Sequence, residues 1–393
     1  MRVLMISSER QLFEDGQVRR RIIEQNKDLE HLTILVFGKQ LFDQMIEPNI
    51  RVVSTASWYK FFYVLDAIHR LWYWRKDKFD VITSQDPVEM ALVAVVAARM
   101  FNAALAVQDH GYYFHGNYYR KESFLNFFRY WFARWAVKRA DAIRVVSQRT
   151  EAALIGLGVG QNKIVRFPLA ISSVILSPSV ILSEAEESGS AGPDPSTSSD
   201  YVQDDMKEIN TSLYFFMAAR LVPIKRVDIA IHAFSLFAKK HPDVKLLIQG
   251  RGPLEERVKQ KIKEFGLDGR VELLPWGENL ELHYANALAT LITSDREGFN
   301  MTAIESLTCG TPVIMTDVGC AGEVVIDGEN GYVVSVGDVY ALADRMERVL
   351  QDPHSLREKV EGFKWDKSNV GMMELYKRAL VSKPKSYAEA DYR

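Results

Sequence analysis

Short apolar segments alternate with longer helical patterns along most of this 393-residue chain, and this alternation restricts the fold more than any other feature. The predicted strands are RVLMIS, LTILVF, DVITS, ALAVQD and AIRVVS in the first half, and SLYFFMAA, VKLLIQG, RVELLP, ATLITS, PVIMT and GYVVSV in the second. In the first half, the predicted helices are Gly16–Glu30, Pro87–Phe101, Ser123–Arg139 and Gln148–Leu157. Strands that alternate with helices form parallel sheets with helices on both faces. We therefore predict two doubly wound α/β domains.

The chain is long enough for two domains of ordinary size. We predict an N-terminal Rossmann-like domain over residues 1–170, a linker over 171–211, a second Rossmann-like domain over 212–365, and a C-terminal segment over 366–393 whose helix returns to the first domain. Within the linker, Ser172 to Asp200 contains no lysine or arginine, is rich in serine and repeats VILS. This composition predicts a disordered low-complexity insertion, with a docking segment as the alternative.

Composition restricts the class of protein further. Apolar residues make up 47% of the chain, which supports sizeable cores, and the two cysteines indicate neither a disulfide framework nor a four-cysteine metal site. No stretch reaches the ~18 uncharged apolar residues of a spanning helix. The start, MRVLMISSER, is typical of a strand and a polar loop rather than of a signal peptide. We therefore expect a cytoplasmic protein.

Unusual residues follow several of the predicted strands. In open parallel sheets, ligands bind beyond the carboxyl ends of the strands. The residues at these positions are Gly16, the run Asp109-His110-Gly111, Arg220 and Lys225 on either side of Pro223, Gly250 and Gly252, and the loop that begins at Ser294. Their convergence on the same edges of the sheets predicts ligand sites there.

Each of these features also has a plainer interpretation. Arg220 and Lys225 suit a clamp on a diphosphate, but two cations around a proline also occur in solvated turns. Gly250 and Gly252 let a ligand approach the backbone closely, or they mark a tight turn between strand and helix. His110 either contacts a ligand at the edge of the sheet or has a structural role. The residues alone leave these alternatives open.

The stretch SDREGFNMTAIESLTCGTPVI places one glutamate before a helix and a second inside it. Asn300 is a good N-cap, Met301 to Thr308 has a helical pattern, and Gly310 suits the C-terminal end. The free N–H groups and the dipole at such a helix start favour an anion. Glu297 lies beside that position and Glu305 little more than one turn into the helix, so the arrangement suits a sugar nucleotide. A solvated Glu297 and a surface Glu305 are the alternative.

Several segments occur in a characteristic order. They are ARLVPIKRVDIAIHAF, LLIQGRGPLEE and EGFNMTAIESLTCGTPVIMTDVGCAGEVVIDGENGYVV in the second half, and MRVLMISSE, VQDHG and ADAIRVVSQRT in the first. Together they resemble the retaining, nucleotide-sugar-dependent glycosyltransferases of family four, which have the GT-B fold. The similarity extends over nearly the whole chain except the serine-rich insertion and the last residues. It implies two Rossmann-like domains facing across a cleft, and transfer of a sugar from a nucleoside-diphosphate sugar to a hydroxyl acceptor.

The resemblance also implies roles for the residues at matching positions. Arg220 and Lys225 would bind the diphosphate and stabilise it as a leaving group, while Glu297 would hold hydroxyls of the transferred sugar. Glu305 would bind the ribose. Gly16, Gly250 and Gly252 would lie close to the donor, and the backbone N–H groups of Phe299, Asn300 and Met301 would contact its sugar and phosphate. His110 would lie near the reacting face of the sugar. Asn300 departs from the family, which usually has a second glycine there, and its side chain would narrow the sugar pocket or change which hexose fits.

The predicted chemistry requires no metal ion or other cofactor. Cleavage of the sugar–phosphate bond builds charge on the diphosphate while the sugar becomes oxocarbenium-like, and fixed cations and helix N–H groups stabilise the departing oxygens. Neither half contains a D-x-D metal motif. The fold offers no evident carboxylate pair for a double displacement. The family implies same-face attack, in which the leaving phosphate accepts the proton of the acceptor.

The charge is divided between the two halves, with a net +7 over residues 1–170 and −9 over residues 171–393. Two stretches of the first half, Trp58–Lys78 and Tyr112–Arg139, combine aromatic with basic residues, and burial under the sheet is expected to account for most of the aromatics. The same composition suits an anionic membrane surface. The expected partners are therefore a nucleotide sugar, a sugar or lipid-linked acceptor and the inner membrane face, but not nucleic acid. The alternative functions are a nucleotide-sugar epimerase and a non-catalytic binder of sugar nucleotides.

Overall fold

The computed structural model describes residues 1–59, 62–111, 113–114, 118–168, 213–277, 280–365 and 370–384. The chain divides into two compact units, Met1–Ser172 with Lys367–Arg393, and Ser173–Asp366. The serine-rich insertion predicted for residues 172–200 lies outside the described residues. Each unit is an α/β structure built on one sheet, so the predicted α/β class with two Rossmann-like domains is confirmed.

The first unit contains eight described strands and a set of flanking helices. The strands are β1 (Arg2–Ser7), β2 (His31–Val36), β3 (Asp43–Glu47), β4 (Ile50–Ser54), β5 (Val81–Ser84), β6 (Ala104–Asp109), β7 (Ala142–Val145) and β8 (Ile164–Arg166). The helices are α1 (Gln17–Asn26), α2 (Tyr63–Tyr73), α3 (Glu89–Phe101), α4 (Tyr118–Glu122), α5 (Phe124–Arg139), α6 (Gln148–Gly156) and, near the end of the chain, α13 (Val370–Ser382). The strand order is β3-β4-β2-β1-β5-β6-β7-β8.

One edge of this sheet differs from the prediction. β3 pairs antiparallel with β4 across a turn at Pro48 and Asn49, so the prediction of a wholly parallel sheet is wrong there. β3 has the polar sequence DQMIE and is largely exposed, and it therefore lacks the continuous apolar run that reveals a buried strand. The strands β4 and β8 and the helix α2 are also missing from the sequence-based prediction.

Helices cover both faces of the first sheet. Alternate residues of β1 point to opposite faces, so that Leu4 packs in a cluster with α2, α3 and α5, and Met5 packs in another with α1 and α13. Tyr376 of α13 is fully buried, and its hydroxyl donates to Oδ1 of Asn26 at 3.2 Å. The last described helix is therefore an integral part of the first core.

Close approach of α13 to the end of the sheet depends on a glycine. A Cβ atom at Gly371 would lie 2.2 Å from Cγ of Phe167, which is far closer than van der Waals contact. Only a residue without a side chain fits this position, so Gly371 helps to fix where α13 packs.

The aromatic residues of α5 are less buried than the sequence suggests. The helix begins after Ser123, whose hydroxyl accepts the N–H of Asn126 at 3.1 Å, and it buries Tyr130, Ala133, Ala136 and Val137. Five large apolar side chains of its first two turns are exposed: Phe124, Leu125, Phe127, Phe128 and Trp131. The expectation that burial accounts for most of the aromatics is thus wrong for this part of the helix, because its buried contacts begin only at Tyr130. Among the described residues, no helix is long and apolar enough to cross a membrane.

The second unit has a six-stranded parallel sheet among its described residues. Its strands are β9 (Tyr214–Ala218), β10 (Lys245–Gln249), β11 (Val271–Leu274), β12 (Thr290–Ile292), β13 (Val313–Thr316) and β14 (Gly331–Val334). Its helices are α7 (Val227–Phe237), α8 (Glu255–Glu264), α9 (Leu280–Asn286), α10 (Met301–Thr308), α11 (Val339–Gln351) and α12 (Pro353–Val360). All six predicted strands are confirmed, with shorter bounds, and their order is β11-β10-β9-β12-β13-β14.

Candidate active site

The strand order of the second sheet reverses between β9 and β12. After β9 the chain adds β10 and β11 on one side of it, and then returns to add β12, β13 and β14 on the other side. A reversal of this kind opens a crevice at the carboxyl ends of the two strands, where ligands bind in open α/β sheets. The loop after β9 carries Arg220 and Lys225, and the loop after β12 carries Glu297. The sequence-predicted residues of these two loops therefore lie at the switch point.

Lys225 and Glu297 are in direct contact between these loops. The ammonium group of Lys225 donates to Oε1 of Glu297, and the hydroxyl of Ser294 donates to the same oxygen at 2.6 Å. The two side chains are only 19% and 14% exposed, so water and salt screen their attraction weakly. The hydroxyl of Thr293 lies 3.0 Å from the carbonyl oxygen of Lys225 and holds the lysine loop against β12. The predicted cation and carboxylate thus belong to one site.

A second contact between the same loops was not predicted. Nη1 of Arg226 donates to Oδ1 of Asp295 at 2.9 Å, and the backbone N–H of Asp295 donates to the carbonyl of Ile224 at 2.9 Å. The guanidinium of Arg226 also donates to the carboxylate of Asp228, and this hydrogen bonding, more than that to Asp295, raises the pKa of Arg226, so the group is permanently charged. Arg226 has φ of +48°, which is uncommon outside glycine, and no sequence pattern reveals that conformation.

The start of α10 is as predicted. Oδ1 of Asn300 accepts the N–H of Ala303 at 3.3 Å, and Gly310, with φ of +76°, follows the end of the helix. No described residue accepts a hydrogen bond from the backbone N–H groups of Phe299, Asn300 or Met301. Unpaired N–H groups at a helix start, together with the dipole, favour an anion at this position. The predicted cap and helix bounds are confirmed.

Asn300 has a backbone conformation typical of glycine, with φ of 88° and ψ of 93°. Its side chain is 8% exposed, and its Nδ2 has no hydrogen-bond partner among the described residues. The neighbouring loop holds the strained backbone in place: Cys320 donates its N–H to the carbonyl of Phe299 at 2.7 Å. A Cβ at Gly319 would lie 2.3 Å from the same carbonyl oxygen. The positive φ is a physical reason why the glycine that the family resemblance implies at position 300 would suit this backbone.

Arg220 and the two glycines after β10 have different surroundings. Arg220 is exposed, and its guanidinium has no hydrogen bond or ion pair with any described residue. A Cβ at Gly250 would lie 2.1 Å from the carbonyl oxygen of Ala219, and one at Gly252 would lie 2.5 Å from that of Leu221. Packing of the adjacent loop therefore requires glycine at both positions. Contact of these glycines with a ligand stays a prediction.

Glu305 is half-buried on α10, where the hydroxyl of Tyr284 on α9 donates to its Oε2 at 3.0 Å. Burial raises the pKa of Glu305, and the hydrogen bond from Tyr284 opposes that rise. The alternative of a solvated surface glutamate is therefore wrong. Tyr284 was not predicted as part of the site, since a single aromatic residue in a short helix has no distinctive sequence pattern. The proposed contact of Glu305 with a ribose stays a prediction.

Two predicted site residues lie in the first unit. Gly16 is the N-cap of α1 in an extended conformation, and a Cβ there would meet no atom within 4 Å, so the fold itself does not require glycine. His110 follows β6 and is half-buried, with its Nε2 3.2 Å from Oε1 of Gln108. Burial lowers the pKa of His110 well below its usual value, and the charges of Arg144 and Arg21 add to this. The imidazole is therefore neutral near pH 7.

A metal site requires several ligating side chains close together, and this can be assessed for the described part of the chain. No group of three or more His, Cys, Asp or Glu side chains there could hold a metal ion. The expectation of a metal-independent reaction stays a prediction.

Two families of known sequences match this chain. The family described as glycosyl transferases group 1 matches residues 203–362, and the glycosyl transferase 4-like domain matches residues 20–170. Both are glycosyltransferase families, and together their matches cover residues 20–170 and 203–362, so the chain is a glycosyltransferase by family. This confirms the family that the sequence motifs predict, and with it the prediction that the protein is a transferase by family.

Curated relatives of this glycosyltransferase match it in part. It is 30% identical over 204 residues to an exopolysaccharide phosphotransferase of Streptomyces coelicolor. That match covers 51% of this chain and 22% of the Streptomyces protein. It is 26% identical over 228 residues to the N-acetyl-alpha-D-glucosaminyl L-malate synthase of Bacillus anthracis. That match covers 54% of this chain and 60% of the Bacillus protein. The chain thus spans less than two thirds of the length of these relatives.

Among solved structures, the glycosyltransferase resembles HepE of Anabaena, which was determined in complex with UDP. The TM-score is 0.68 at 18% identity, and the alignment covers 99% of both chains. At this identity the likeness concerns the fold, and it agrees with the GT-B architecture that the sequence predicts.

Proposed function

We propose that this glycosyltransferase moves a sugar from a nucleoside-diphosphate sugar to a hydroxyl acceptor, with retention of configuration at the anomeric carbon. The proposal rests chiefly on the contact of Lys225 with Glu297 beside the unpaired N–H groups that start α10. A cation and a helix start stabilise a departing diphosphate, and a buried carboxylate accepts hydrogen bonds from sugar hydroxyls. Groups suited to both requirements lie at one switch point, which supports the proposal.

The chemical step follows from these groups. The bond from the anomeric carbon to the phosphate oxygen breaks, and its electron pair stays on the diphosphate. The hydroxyl oxygen of the acceptor forms the new bond on the same face, and its proton passes to the leaving phosphate oxygen. Lys225 and the N–H groups of residues 299–301 stabilise the charge on the diphosphate. Exposed Arg220 adds a second cation at the carboxyl end of β9.

The two glutamates have separate roles in this proposal. Glu297, held by Lys225 and Ser294, orients sugar hydroxyls and balances the positive charge that develops on the sugar. Glu305, held by Tyr284, binds the ribose of the donor through its carboxylate. The complex of HepE with UDP supports a nucleoside-diphosphate donor, and the name of the Bacillus relative refers to a glucosaminyl group.

The experiment measures donor use and stereochemistry. Nucleotide sugars are first screened for an increase in melting temperature, because a ligand of the folded state stabilises it. The donor that binds is then incubated with acceptor hydroxyl compounds, and the anomeric coupling constant of the product is measured by NMR. An inverted anomer overturns the proposal of retention. Conversion of the donor to its epimer without an acceptor would favour the epimerase alternative instead.

We further propose that the protein acts in the cytoplasm at the inner membrane face, on a sugar or lipid-linked acceptor of cell-surface polysaccharide or glycolipid synthesis. The supporting observation is that two groups of large apolar, mostly aromatic side chains are exposed in the first unit. One group lies around α2 (Trp58, Tyr59, Phe62, Leu65, Trp72 and Tyr73) and the other on α5 (Phe124, Leu125, Phe127, Phe128 and Trp131). The net charge of +7 over residues 1–170 complements an anionic bilayer. The name of the Streptomyces relative also refers to an exopolysaccharide.

Vesicle sedimentation tests the membrane proposal. Anionic vesicles are expected to pull down the wild-type protein, and the pair of substitutions Phe124→Ser and Phe128→Ser is expected to release most of it. Tyr340→Ser is the matched control, because Tyr340 is 76% exposed in the second unit. Equal sedimentation with neutral and anionic vesicles, or no effect of the α5 substitutions, would contradict the proposal.

A further inference from the structure

A polar cavity of about 290 Å³ lies within the first unit. This volume is close to the lower end of the ~300–1,000 Å³ that ligand pockets usually have. Residues that end or follow β1, β5, β6 and β7 line it, as does one side of α1. It therefore opens at the carboxyl edge of the sheet, where a parallel α/β sheet binds its ligands. His110 is one of its lining residues.

Arg144 of β7 is almost completely buried at this cavity, with 2% of its surface exposed. Its guanidinium donates to Oε1 of Gln108 at 3.0 Å, to the carbonyls of Pro168 at 3.0 Å and Phe167 at 3.3 Å, and to Sδ of Met372 at 3.8 Å. It also stacks 4.0 Å from the ring centroid of Phe167. These partners are neutral, and no described carboxylate forms an ion pair with Arg144. Burial, together with the charge of Arg21, lowers the pKa of Arg144 to about 9. A buried charge with only neutral partners is energetically unfavourable.

Arg21 of α1 lines the same cavity and is half-buried. Its guanidinium has no hydrogen bond or ion pair with any described residue. Burial lowers the pKa of Arg21, and Glu9 partly opposes this. By contrast, the adjacent Arg20 is 75% exposed and lies 3.8 Å from Asp15. The two neighbouring arginines therefore differ in whether they face the cavity.

The carboxylates of the cavity are occupied by backbone groups. Glu9 accepts the N–H of Gln11 at 3.2 Å, and Asp86 accepts the N–H of Val88 at 2.8 Å at the start of α3. Neither carboxylate forms an ion pair with Arg21 or Arg144 among the described residues. The two guanidinium groups thus lack a counter-charge in direct contact, although both lie on one small cavity.

We propose that this cavity binds an anionic group of the acceptor, a carboxylate or a phosphate, through the guanidinium groups of Arg21 and Arg144. Arg21 can form paired hydrogen bonds with such an oxyanion, whereas Arg144, most of whose N–H groups are occupied, contributes chiefly its buried positive charge. The ligand removes the unfavourable state of the buried Arg144 by adding the missing counter-charge. The assignment of the ligand as acceptor rests on the function proposed above, in which the donor diphosphate binds residues of the second unit.

Selectivity follows from the same argument. A neutral acceptor of similar shape leaves both arginines without a counter-charge in a partly dehydrated cavity. A site with buried polar groups rejects a ligand that lacks the matching polar group strongly. An apolar pocket discriminates much less between ligands that differ by one methylene group. The cavity therefore predicts an enzyme that prefers anionic over neutral acceptors.

Calorimetric titration with inorganic phosphate and with malonate tests the cavity directly. The wild-type protein is expected to bind at least one of them, and Arg21→Gln is expected to weaken that binding by tenfold or more. Arg144→Lys keeps a charge but loses the hydrogen bonds to Gln108 and Pro168 that hold it at the cavity, and it is expected to weaken binding as well. Arg20→Gln is the matched control, since it removes the same charge from the adjacent exposed position and should leave binding unchanged.

Three outcomes would overturn the proposal. The first is absence of binding of both anions to the wild-type protein at millimolar concentration. The second is equal loss in Arg20→Gln and Arg21→Gln, which would indicate a general charge effect. The third is displacement of the bound anion by UDP, which would assign the cavity to the donor phosphate. Failure of every nucleoside diphosphate to bind would refute the proposed function while leaving the anion titration interpretable.

Turnover provides a readout that a purely structural arginine would not change. With an acceptor that carries a carboxylate or phosphate, Arg21→Gln is expected to raise KM by tenfold or more with a small change in kcat. With the neutral analogue of the same acceptor, the variant and the wild type should have similar kcat/KM. An equal loss with both acceptors would mean that Arg21 does not recognise the anionic group.

Discussion

Lys225 and Glu297, 72 residues apart in the sequence, form an ion pair between the loops that follow two adjacent strands of the second sheet. Each side chain is less than one fifth exposed, so removal of one leaves the other as a poorly hydrated, unpaired charge. The two residues should therefore respond to mutation as a unit. This coupling determines how single substitutions in the site are to be interpreted.

The first prediction concerns the cations. Arg220→Ala and Lys225→Ala are each expected to lower kcat by ~10²-fold or more, because each removes charge stabilisation from the leaving diphosphate. Arg220→Ala should leave the melting temperature unchanged, since Arg220 is exposed and has no partner among the described residues. Lys263→Ala, an exposed lysine of α8, is the control. Near-normal turnover in both site variants would refute their role.

The ion pair adds a test by double-mutant cycle. The double variant Lys225→Ala/Glu297→Ala is expected to be destabilised by less than the sum of the two single variants, because it leaves no unpaired charge behind, whereas each single variant does. Urea denaturation of the four proteins measures the coupling. Additive losses would show that the two side chains do not interact in solution.

The second prediction separates the two glutamates. Glu297→Gln is expected to lower kcat and to leave the affinity for free nucleoside diphosphate nearly unchanged, because the diphosphate has no sugar for Glu297 to hold. Glu305→Gln is expected to weaken diphosphate binding, and Tyr284→Phe to weaken it less, since it removes only the hydrogen bond to Glu305. Calorimetric titration compares them. Loss of diphosphate binding in Glu297→Gln with retention in Glu305→Gln would reverse the roles.

The third prediction concerns Asn300, whose φ of 88° favours glycine. Asn300→Gly removes the helix cap but relieves the backbone, and is expected to change the free energy of unfolding by only a few tenths of a kcal/mol. Asn300→Ala loses the cap and keeps the strain, so a loss of about 2 kcal/mol is expected. Urea denaturation distinguishes the two. Equal losses of stability in the two variants would mean that the positive φ does not strain the backbone at position 300.

The fourth prediction is a pH dependence of stability. Burial raises the pKa of Asp109 from 3.8 to about 7, and the hydrogen bond from the N–H of Gly111 only partly opposes this. Because the folded state holds the proton more tightly than the unfolded chain, stability from this group falls as the pH rises from about 4 to about 7. Above pH 7 the full loss is present, on the order of 4 kcal/mol at most.

Asp109→Asn tests this directly, since the amide oxygen still accepts the N–H of Gly111. The variant is expected to melt above the wild type at pH 8 and to lose most of this advantage near pH 4. Asp15→Asn, at a 73% exposed position, should show no comparable change. An advantage of Asp109→Asn that is the same at both pH values would contradict the assignment.

The fifth prediction concerns metal ions. Cations and helix N–H groups supply the electrostatic stabilisation in the proposed reaction, so turnover is expected to persist in excess EDTA. Complete loss of activity on chelation, restored by Mg²⁺ or Mn²⁺, would show that a metal ion supports the leaving group.

Much of the fold can be predicted because buried strands have unbroken apolar runs. RVLMIS and ALAVQD correspond to β1 and β6 without any shift of bounds. The start of α10 is predictable for a similar reason, since an N-cap, a helical pattern and a terminal glycine are all local signals. The edge strand β3 escapes prediction because its polar, exposed residues have no such run.

Contacts between distant residues account for what the sequence does not reveal in the site. The motifs place Lys225 and Glu297 at the ends of strands, but the ion pair between them depends on β9 and β12 being neighbours. The contact of Arg226 with Asp295 and that of Tyr284 with Glu305 depend on packing in the same way. Gly250 and Gly252 show the opposite case, where a residue typical of ligand loops is already required by the fold.

Helix α13 has a consequence for the order in which the protein is made. Its residues Leu375, Tyr376 and Ala379 complete the core on one face of the first sheet, yet they are translated after the whole second unit. A ribosome that has released residues 1–168 has therefore produced a sheet with one face still uncovered, whereas the second unit emerges as one continuous stretch. The half of the protein that is synthesised first thus reaches its final core last, and until then its uncovered apolar face is a surface for chaperones or for aggregation.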